Sequence, residues 1–169
     1  MYNFSSLQVD IDTQLANQIK QWGYKNINQE DIFCRPFLSG RESDIHITIL
    51  YGILTTQPDK PIRVLKKETN FQVTLKNITA FYNEEYDVIK IDVESEKLNR
   101  IHNIIKNDLM YRPIHDKFKP HITIAYVNKS STERILQNES NMFKDITISV
   151  NNLSFIPPMG LKTTIALKN

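Results

Sequence analysis

One phrase occurs twice in this chain: His46-Ile47-Thr48-Ile49-Leu50-Tyr51 returns about 75 residues later as His121-Ile122-Thr123-Ile124-Ala125-Tyr126. Each copy is a β-branched run with a polar residue at alternate places, the pattern of a strand with one buried face. A fold for this chain must therefore supply two equivalent strand positions. Side chains alternate along a strand, so His46, Thr48 and Leu50 are expected on one face and Ile45, Ile47, Ile49 and Tyr51 on the other. The same division applies to His121, Thr123 and Ala125 against Ile122, Ile124 and Tyr126, which assigns both tyrosines to core packing. Histidine occurs only four times in 169 residues, and two of the four stand at the same place in the same phrase.

The rest of the pattern surrounds these strands with mixed elements. Residues 6–12 alternate as a half-buried strand, and Asp12 or Thr13 caps a helix carrying Leu15, Ile19 and Trp22 on one stripe, with Gly23 placed to end it. Residues 24–44 read as a long loop with one helical turn. After the first copy come a short helix near 62–67 and a hairpin of 71–82 with 86–93 around Asn83-Glu84-Glu85. Ser95 caps a helix with an apolar stripe of Leu98, Ile101, Ile104, Ile105 and Leu109, whose polar side places His102 in solvent. An irregular segment, 111–120, feeds the second copy. A helix from Ser130 or Ser131 to about Met142 follows, then strands 146–155 and 161–167 joined by Pro157-Pro158-Met159-Gly160. Roughly seven strands and three or four helices in mixed order make an α+β fold, expected as one domain over residues 1–169 with two lobes of related build.

Composition narrows the partners. A formal charge of +2 is too small for a bulk electrostatic grip on duplex nucleic acid. The lone Cys34 excludes an internal disulfide and argues against a zinc cluster. The first residues lack a basic, then apolar, export signal, and no run of about 18 apolar residues occurs. The expectation is a cytoplasmic protein without membrane attachment and with no obligate protein partner.

Two His-x-Thr faces across a shared cleft would suit phosphodiester chemistry. One neutral imidazole takes a proton from an attacking water or ribose 2′-hydroxyl, and the other, protonated, gives one to the leaving oxygen. The threonine hydroxyls donate to the non-bridging oxygens as charge develops. No step needs a metal or other cofactor. A different class of function on the same residues is a nucleotide- or RNA-binding module without turnover. A histidine-based metal enzyme is the weaker third reading, since only Asp44 offers an acidic ligand beside a motif.

With both His-x-Thr copies on strands, and with the segments GRESDIHITILYG, DVIKIDVES and FKPHITIAYV, the sequence resembles the 2H phosphoesterase superfamily over nearly its whole length. That group includes 2′-5′ RNA ligase-like proteins, RNA 2′,3′-cyclic phosphodiesterases and phage anti-CBASS-type enzymes that destroy cyclic oligonucleotide signals. The resemblance implies a bilobal, pseudo-twofold α+β fold in which two antiparallel sheets form a concave cleft with helices outside. It also implies metal-independent catalysis, with His46 and His121 as the acid/base pair and Thr48 and Thr123 as phosphate binders. The substrate would be a nucleotide, a cyclic oligonucleotide or an RNA end, met in the host cytoplasm if the chain is phage-encoded. Substrate contacts are expected from the two loops: Tyr24, Arg35, Phe37 and Arg41 in the first, and Tyr111, Arg112, His115 and Phe118, with Lys117 and Lys119, in the second.

Overall fold

A computed structural model describes residues 4–35, 38–114, 117–138 and 141–169. Phe37 and His115, both expected at the substrate, lie outside the described residues. The strands are β1 (Ser5–Asp10), β2 (Cys34–Arg35), β3 (Leu38–Ser39), β4 (His46–Ile53), β5 (Phe71–Tyr82), β6 (Asp87–Glu94), β7 (His121–Val127), β8 (Thr147–Val150), β9 (Asn152–Ile156) and β10 (Thr163–Ala166). The helices are α1 (Thr13–Asn26), α2 (Asp59–Leu65), α3 (Glu96–Asp108) and α4 (Thr132–Leu136).

Eight strands form one antiparallel sheet in the order β10-β9-β1-β4-β7-β6-β5-β8. The order is symmetric about its middle. β4 and β7, the two copies of the phrase, lie side by side and share a single pair, Ile47 with Ile122. β1 and β6 flank them, and β9 and β5 lie outside those. The two four-stranded antiparallel halves thus meet edge to edge at the repeated phrase.

Local chemistry explains the helices. Asp12 caps α1 by accepting from the Leu15 amide at 3.0 Å, and Ser95 caps α3 by accepting from the Leu98 amide at 3.3 Å. Leu15, Ile19 and Trp22 of α1 and Leu98, Ile101 and Ile105 of α3 are buried in one continuous core with Ile47, Ile49, Ile122 and Ile124. Each helix crosses to the opposite half: α1, which follows β1, packs on β7, and α3, which follows β6, packs on β4. Gly23 does not end α1, which runs three residues further. A Cβ at Gly23 would lie 3.0 Å from Ile124 Cγ2, so its missing side chain permits the close approach of α1 to β7.

Other departures are shorter-range. The helix expected from 130 to 142 is a 3-10 turn, Lys129–Ser131, followed by the five residues of α4. The strand expected over 146–155 is broken at Asn151 into β8 and β9, which lie on opposite halves of the sheet. Residues 24–44 contain the 3-10 turn Gln29–Asp31 and the small β2–β3 hairpin.

Candidate active site

The register around the repeated phrase corrects the alternation inferred from sequence. Leu7 pairs with Leu50 but Gln8 pairs with Thr48, leaving Ile49 as an extra residue in β4. In the other half Ile89 pairs with Ala125 but Lys90 pairs with Thr123, leaving Ile124 as the extra residue in β7. Each copy therefore carries a β-bulge at its fourth residue, and the alternation restarts after it. The fifth residue, Leu50 or Ala125, turns to the core and is buried. The sixth, Tyr51 or Tyr126, turns to the histidine side and is half-exposed. The two tyrosines therefore share a face with His46, Thr48, His121 and Thr123 instead of packing in the core.

The bulges free backbone carbonyls, and each finds a donor. Ile124 O accepts from the Glu42 amide at 2.9 Å. Ile49 O accepts from His102 Nδ1 at 2.7 Å. His102, expected in solvent, is half-buried and stacks on Phe118 with centroids 4.0 Å apart.

Both candidate catalytic imidazoles are oriented alike. His46 Nδ1 is 2.6 Å from Asp44 O, and His121 Nδ1 is 2.7 Å from Lys119 O, in each case the carbonyl two residues upstream. A carbonyl can only accept, so Nδ1 carries the proton and Nε2 is the nitrogen left for proton transfer. Thr48 Oγ1 lies 3.1 Å from His46 Nε2, within donating distance of its lone pair. His121 packs edge-on against Phe81, 4.8 Å between centroids. Burial holds the His121 imidazole below the usual histidine range; the Lys119 carbonyl and Asp92 oppose this, while Lys90 and His46 reinforce it. The charge of one imidazole is thus felt at the other. Because β4 and β7 are antiparallel through Ile47 and Ile122, His46 lies toward Thr123 and Thr48 toward His121.

The loops cross over as the helices do. Beyond their single pair, β4 and β7 diverge, and each freed edge is met by the loop that precedes the other. Ile32 and Arg41 bridge to Val127 and Ala125, and Tyr111 bridges to Ile53. The Arg112 amide donates to Gly52 O at 2.8 Å. Gly52 has φ +95°, and a Cβ there would stand 2.3 Å from Arg112 O, so the crossing requires glycine.

The loop candidates differ in how they are engaged. Arg41 donates to Gly23 O at 2.9 Å and Ile27 O at 2.7 Å, closing the end of α1, and lies over the exposed Tyr24 ring at 4.8 Å. Arg35 is exposed, pairs with Glu85 at 2.6 Å and lies 5.5 Å from the Phe33 centroid. Phe33 stacks on Tyr86, which meets Tyr126 edge-on at 5.8 Å. In the other half, the exposed Arg112 lies 5.9 Å from the Phe4 centroid, and Phe4 meets Tyr51 edge-on at 6.1 Å. Each tyrosine of the phrase thus leads to an arginine, Tyr126 through the two rings Tyr86 and Phe33 and Tyr51 through Phe4. Tyr111 and Phe118 are half-buried against the core. Lys117 is exposed, and Lys119 Nζ lies 5.8 Å from the Phe81 centroid.

Among the described residues, no three His, Cys, Asp or Glu side chains are grouped to hold a metal ion, and no helix is long and apolar enough to cross a membrane. A separate cavity of about 540 Å³ between the start of α1 and β8 includes Asp10 but neither motif histidine.

The sequence matches the family model of the 2′-5′ RNA ligase superfamily over residues 12–157. The chain belongs to that superfamily. Its α+β fold, a curled antiparallel sheet with helices, is that of solved 2H phosphoesterase structures. TT0787 of Thermus thermophilus is 16% identical with a TM-score of 0.66, covering 98% of each chain. LigT of E. coli, solved with 3′-AMP, is 16% identical with a TM-score of 0.67, covering 98% of this chain and 95% of that one. Usb1 of Kluyveromyces marxianus is 11% identical with a TM-score of 0.61, covering 97% of each. No curated protein sequence matches the chain.

Proposed function

We propose that this chain is a metal-independent phosphodiesterase that cleaves a nucleotide phosphodiester with His46 and His121 as acid and base. The carrying observation is the matched orientation of the two imidazoles, each with Nδ1–H fixed by an upstream carbonyl and Nε2 left for proton transfer. In hydrolysis, one Nε2 takes a proton from water, and the water oxygen bonds to phosphorus. The bond to the leaving ribose oxygen then breaks, and the other imidazolium protonates that oxygen, leaving a phosphomonoester and a hydroxyl. Thr48 and Thr123 donate to the non-bridging oxygens. Membership of a superfamily that includes phosphodiesterases supports the reading, as does a relative solved with 3′-AMP.

The substrate class is a 2′,3′-cyclic phosphate, a 2′-5′ or 3′-5′ oligonucleotide, or a cyclic oligonucleotide messenger. The chain works in the cytoplasm, that of the host if it is phage-encoded. Arg35, Phe37 and Arg41 of the first loop, with Tyr24 on the last turn of α1 beside it, and Tyr111, Arg112, His115 and Phe118 of the second are proposed to select the substrate. The test is a panel of these three substrate types with products identified by mass. His46→Ala and His121→Ala are each expected to lower turnover about 10²–10⁴-fold with folding retained, and EDTA to have no effect. Activity retained in either variant would overturn the assignment.

A further inference from the structure

The duplication extends past the repeated phrase into the strands beside it. Asp10 pairs across the sheet with His46, and Asp92 with His121. Gln8 pairs with Thr48, and Lys90 with Thr123. One strand further out, Ser154 pairs with Gln8 and Thr79 with Lys90. Residues paired in this way share a face of the sheet, so both sets stand on the histidine side.

Their hydrogen bonds repeat as well. Gln8 Nε2 donates to Asp10 Oδ1 at 3.0 Å, and Ser154 Oγ donates to Asp10 Oδ2 at 2.6 Å. In the second half Lys90 Nζ contacts Asp92 Oδ1, and Thr79 Oγ1 donates to Asp92 Oδ2 at 2.8 Å. Lys90 Nζ also donates to Thr79 Oγ1 at 2.6 Å and sits 4.4 Å from the centroid of Phe81, the ring that His121 meets edge-on. The two networks place a carboxylate and a hydroxyl at matching positions and differ in the charge of the third group. Where the first half has a neutral amide, the second has the ammonium of a lysine that is only 4% exposed.

We propose that Lys90 is a positioning residue that makes the two half-sites unequal, keeping His121 unprotonated and ready to accept a proton at the start of the cycle. A buried cation is costly unless it is paired. Lys90 is paired, but to a carboxylate whose other oxygen is already engaged by Thr79. Among the described residues, the charges acting on His121 are Lys90 and Asp92 from β6 and His46 from β4, while Lys119 Nζ lies 5.8 Å from Phe81, the β5 ring that His121 meets, and Thr79 of β5 holds Asp92. His46 faces a different set: His121 from β7, Asp10 paired across from it on β1, and Asp44, whose Oδ2 lies 3.5 Å from Gln8 Nε2. The cation near that half is Lys162, 2.6 Å from Asp10 Oδ2 and half-exposed, while Gln8 occupies the buried place. The first half therefore carries two carboxylates about a neutral amide, with the solvent-exposed Lys162 ammonium on one of them, and the second carries one carboxylate about a buried ammonium. His46 is left as the proton donor.

The inference rests on the acid/base reading of the cleft, and ring titration of isotopically labelled histidine by NMR tests it without any substrate. Lys90→Gln, which copies the first half into the second, is expected to raise the His121 midpoint by about half to one pH unit. Asp92→Asn is expected to lower it, and Gln8→Lys to lower the His46 midpoint. A packing role alone would shift neither histidine in opposite directions in the two β6 variants. With an active substrate in hand, the acidic limb of kcat/KM should follow the His121 midpoint upward in Lys90→Gln. Midpoints unmoved in Asp92→Asn and Gln8→Lys, or moved in the same direction by Lys90→Gln and Asp92→Asn, would overturn the role of Lys90 even if the protein cleaves phosphodiesters. Absence of turnover with the titrations shifted as stated would overturn the enzymatic reading and leave the electrostatic one.

Discussion

His102→Phe isolates the support of the β4 bulge. The ring keeps its place against Phe118, where the two planes are 1° from parallel, and loses only its donor. Ile49 O then lacks the donor that lies 2.7 Å away, in a strand whose Ile49 is 1% exposed. Leaving a buried carbonyl without its partner costs about 1–3 kcal/mol. For a domain of this size that corresponds to a fall in Tm of roughly 2–12 °C.

The same substitution makes a signed prediction with pH. Burial is the main cause holding His102 below its usual range, with the Ile49 carbonyl opposing and Lys106 adding to it. The unfolded chain therefore takes up the proton first, at about pH 6.5. As pH falls through that value, the unfolded state binds more protons than the native state, and the wild type loses stability. Phenylalanine has no proton to bind. The difference between wild type and His102→Phe should be largest near pH 8 and narrow toward pH 5, while His121 contributes equally to both proteins and cancels. Urea denaturation at the two pH values measures it. A difference absent at pH 8, or constant across the range, would refute the bond from His102 to the bulge.

Gly52→Ala is expected to cost about 1–3 kcal/mol for the left-handed backbone alone. The contact with Arg112 O adds to it, and protection of the Arg112 amide from hydrogen exchange should be lost with it. Asp31→Asn tests the anchor of the first loop: the buried Asp31 carboxylate accepts from Arg134 at 2.5 Å, Ser131 at 2.6 Å and the Asn28 amide at 2.8 Å. Its carboxyl is held below the ordinary range chiefly by Arg134, so its stabilisation is present above about pH 4 and is lost as pH falls further. The variant should be less stable at pH 7 by about 1–3 kcal/mol, with the gap closing toward pH 3 in chemical denaturation.

What was legible in the sequence was periodic. The stripes of Leu15-Ile19-Trp22 and Leu98-Ile101-Ile105 name the buried faces of α1 and α3, and Asp12 and Ser95 name their starts. His46, Thr48, His121 and Thr123 could be placed on one face because the first three residues of each phrase alternate regularly. What was not legible depends on contacts distant in sequence. Nothing near Gly23 says that Ile124 will press on it, and nothing near His102 says that a strand 53 positions away will offer a free carbonyl. Gln8 and Lys90 look like ordinary polar residues on strands. Only the pairing of β1 with β4 and of β6 with β7 reveals them as counterparts.

The tyrosines had a local signal that simple alternation overrides. In a regular strand the fourth and fifth residues of the phrase would face opposite ways, yet they are Ile49-Leu50 in one copy and Ile124-Ala125 in the other, apolar at both places. Two consecutive apolar residues in an alternating run fit a bulge, and here both members of each pair are buried. The phrase is six residues long for the same reason. Its first, third and sixth residues form one face, and its second, fourth and fifth form the other. Without the bulge, His-x-Thr would be a pair of polar groups on a flat strand, and the tyrosine would be lost to the core. With it, each copy presents a histidine, a threonine and an aromatic ring on one face, the ring continuing through Phe4 or Tyr86 toward an arginine. The Gln8-for-Lys90 exchange then distinguishes two half-sites that the phrase itself leaves identical.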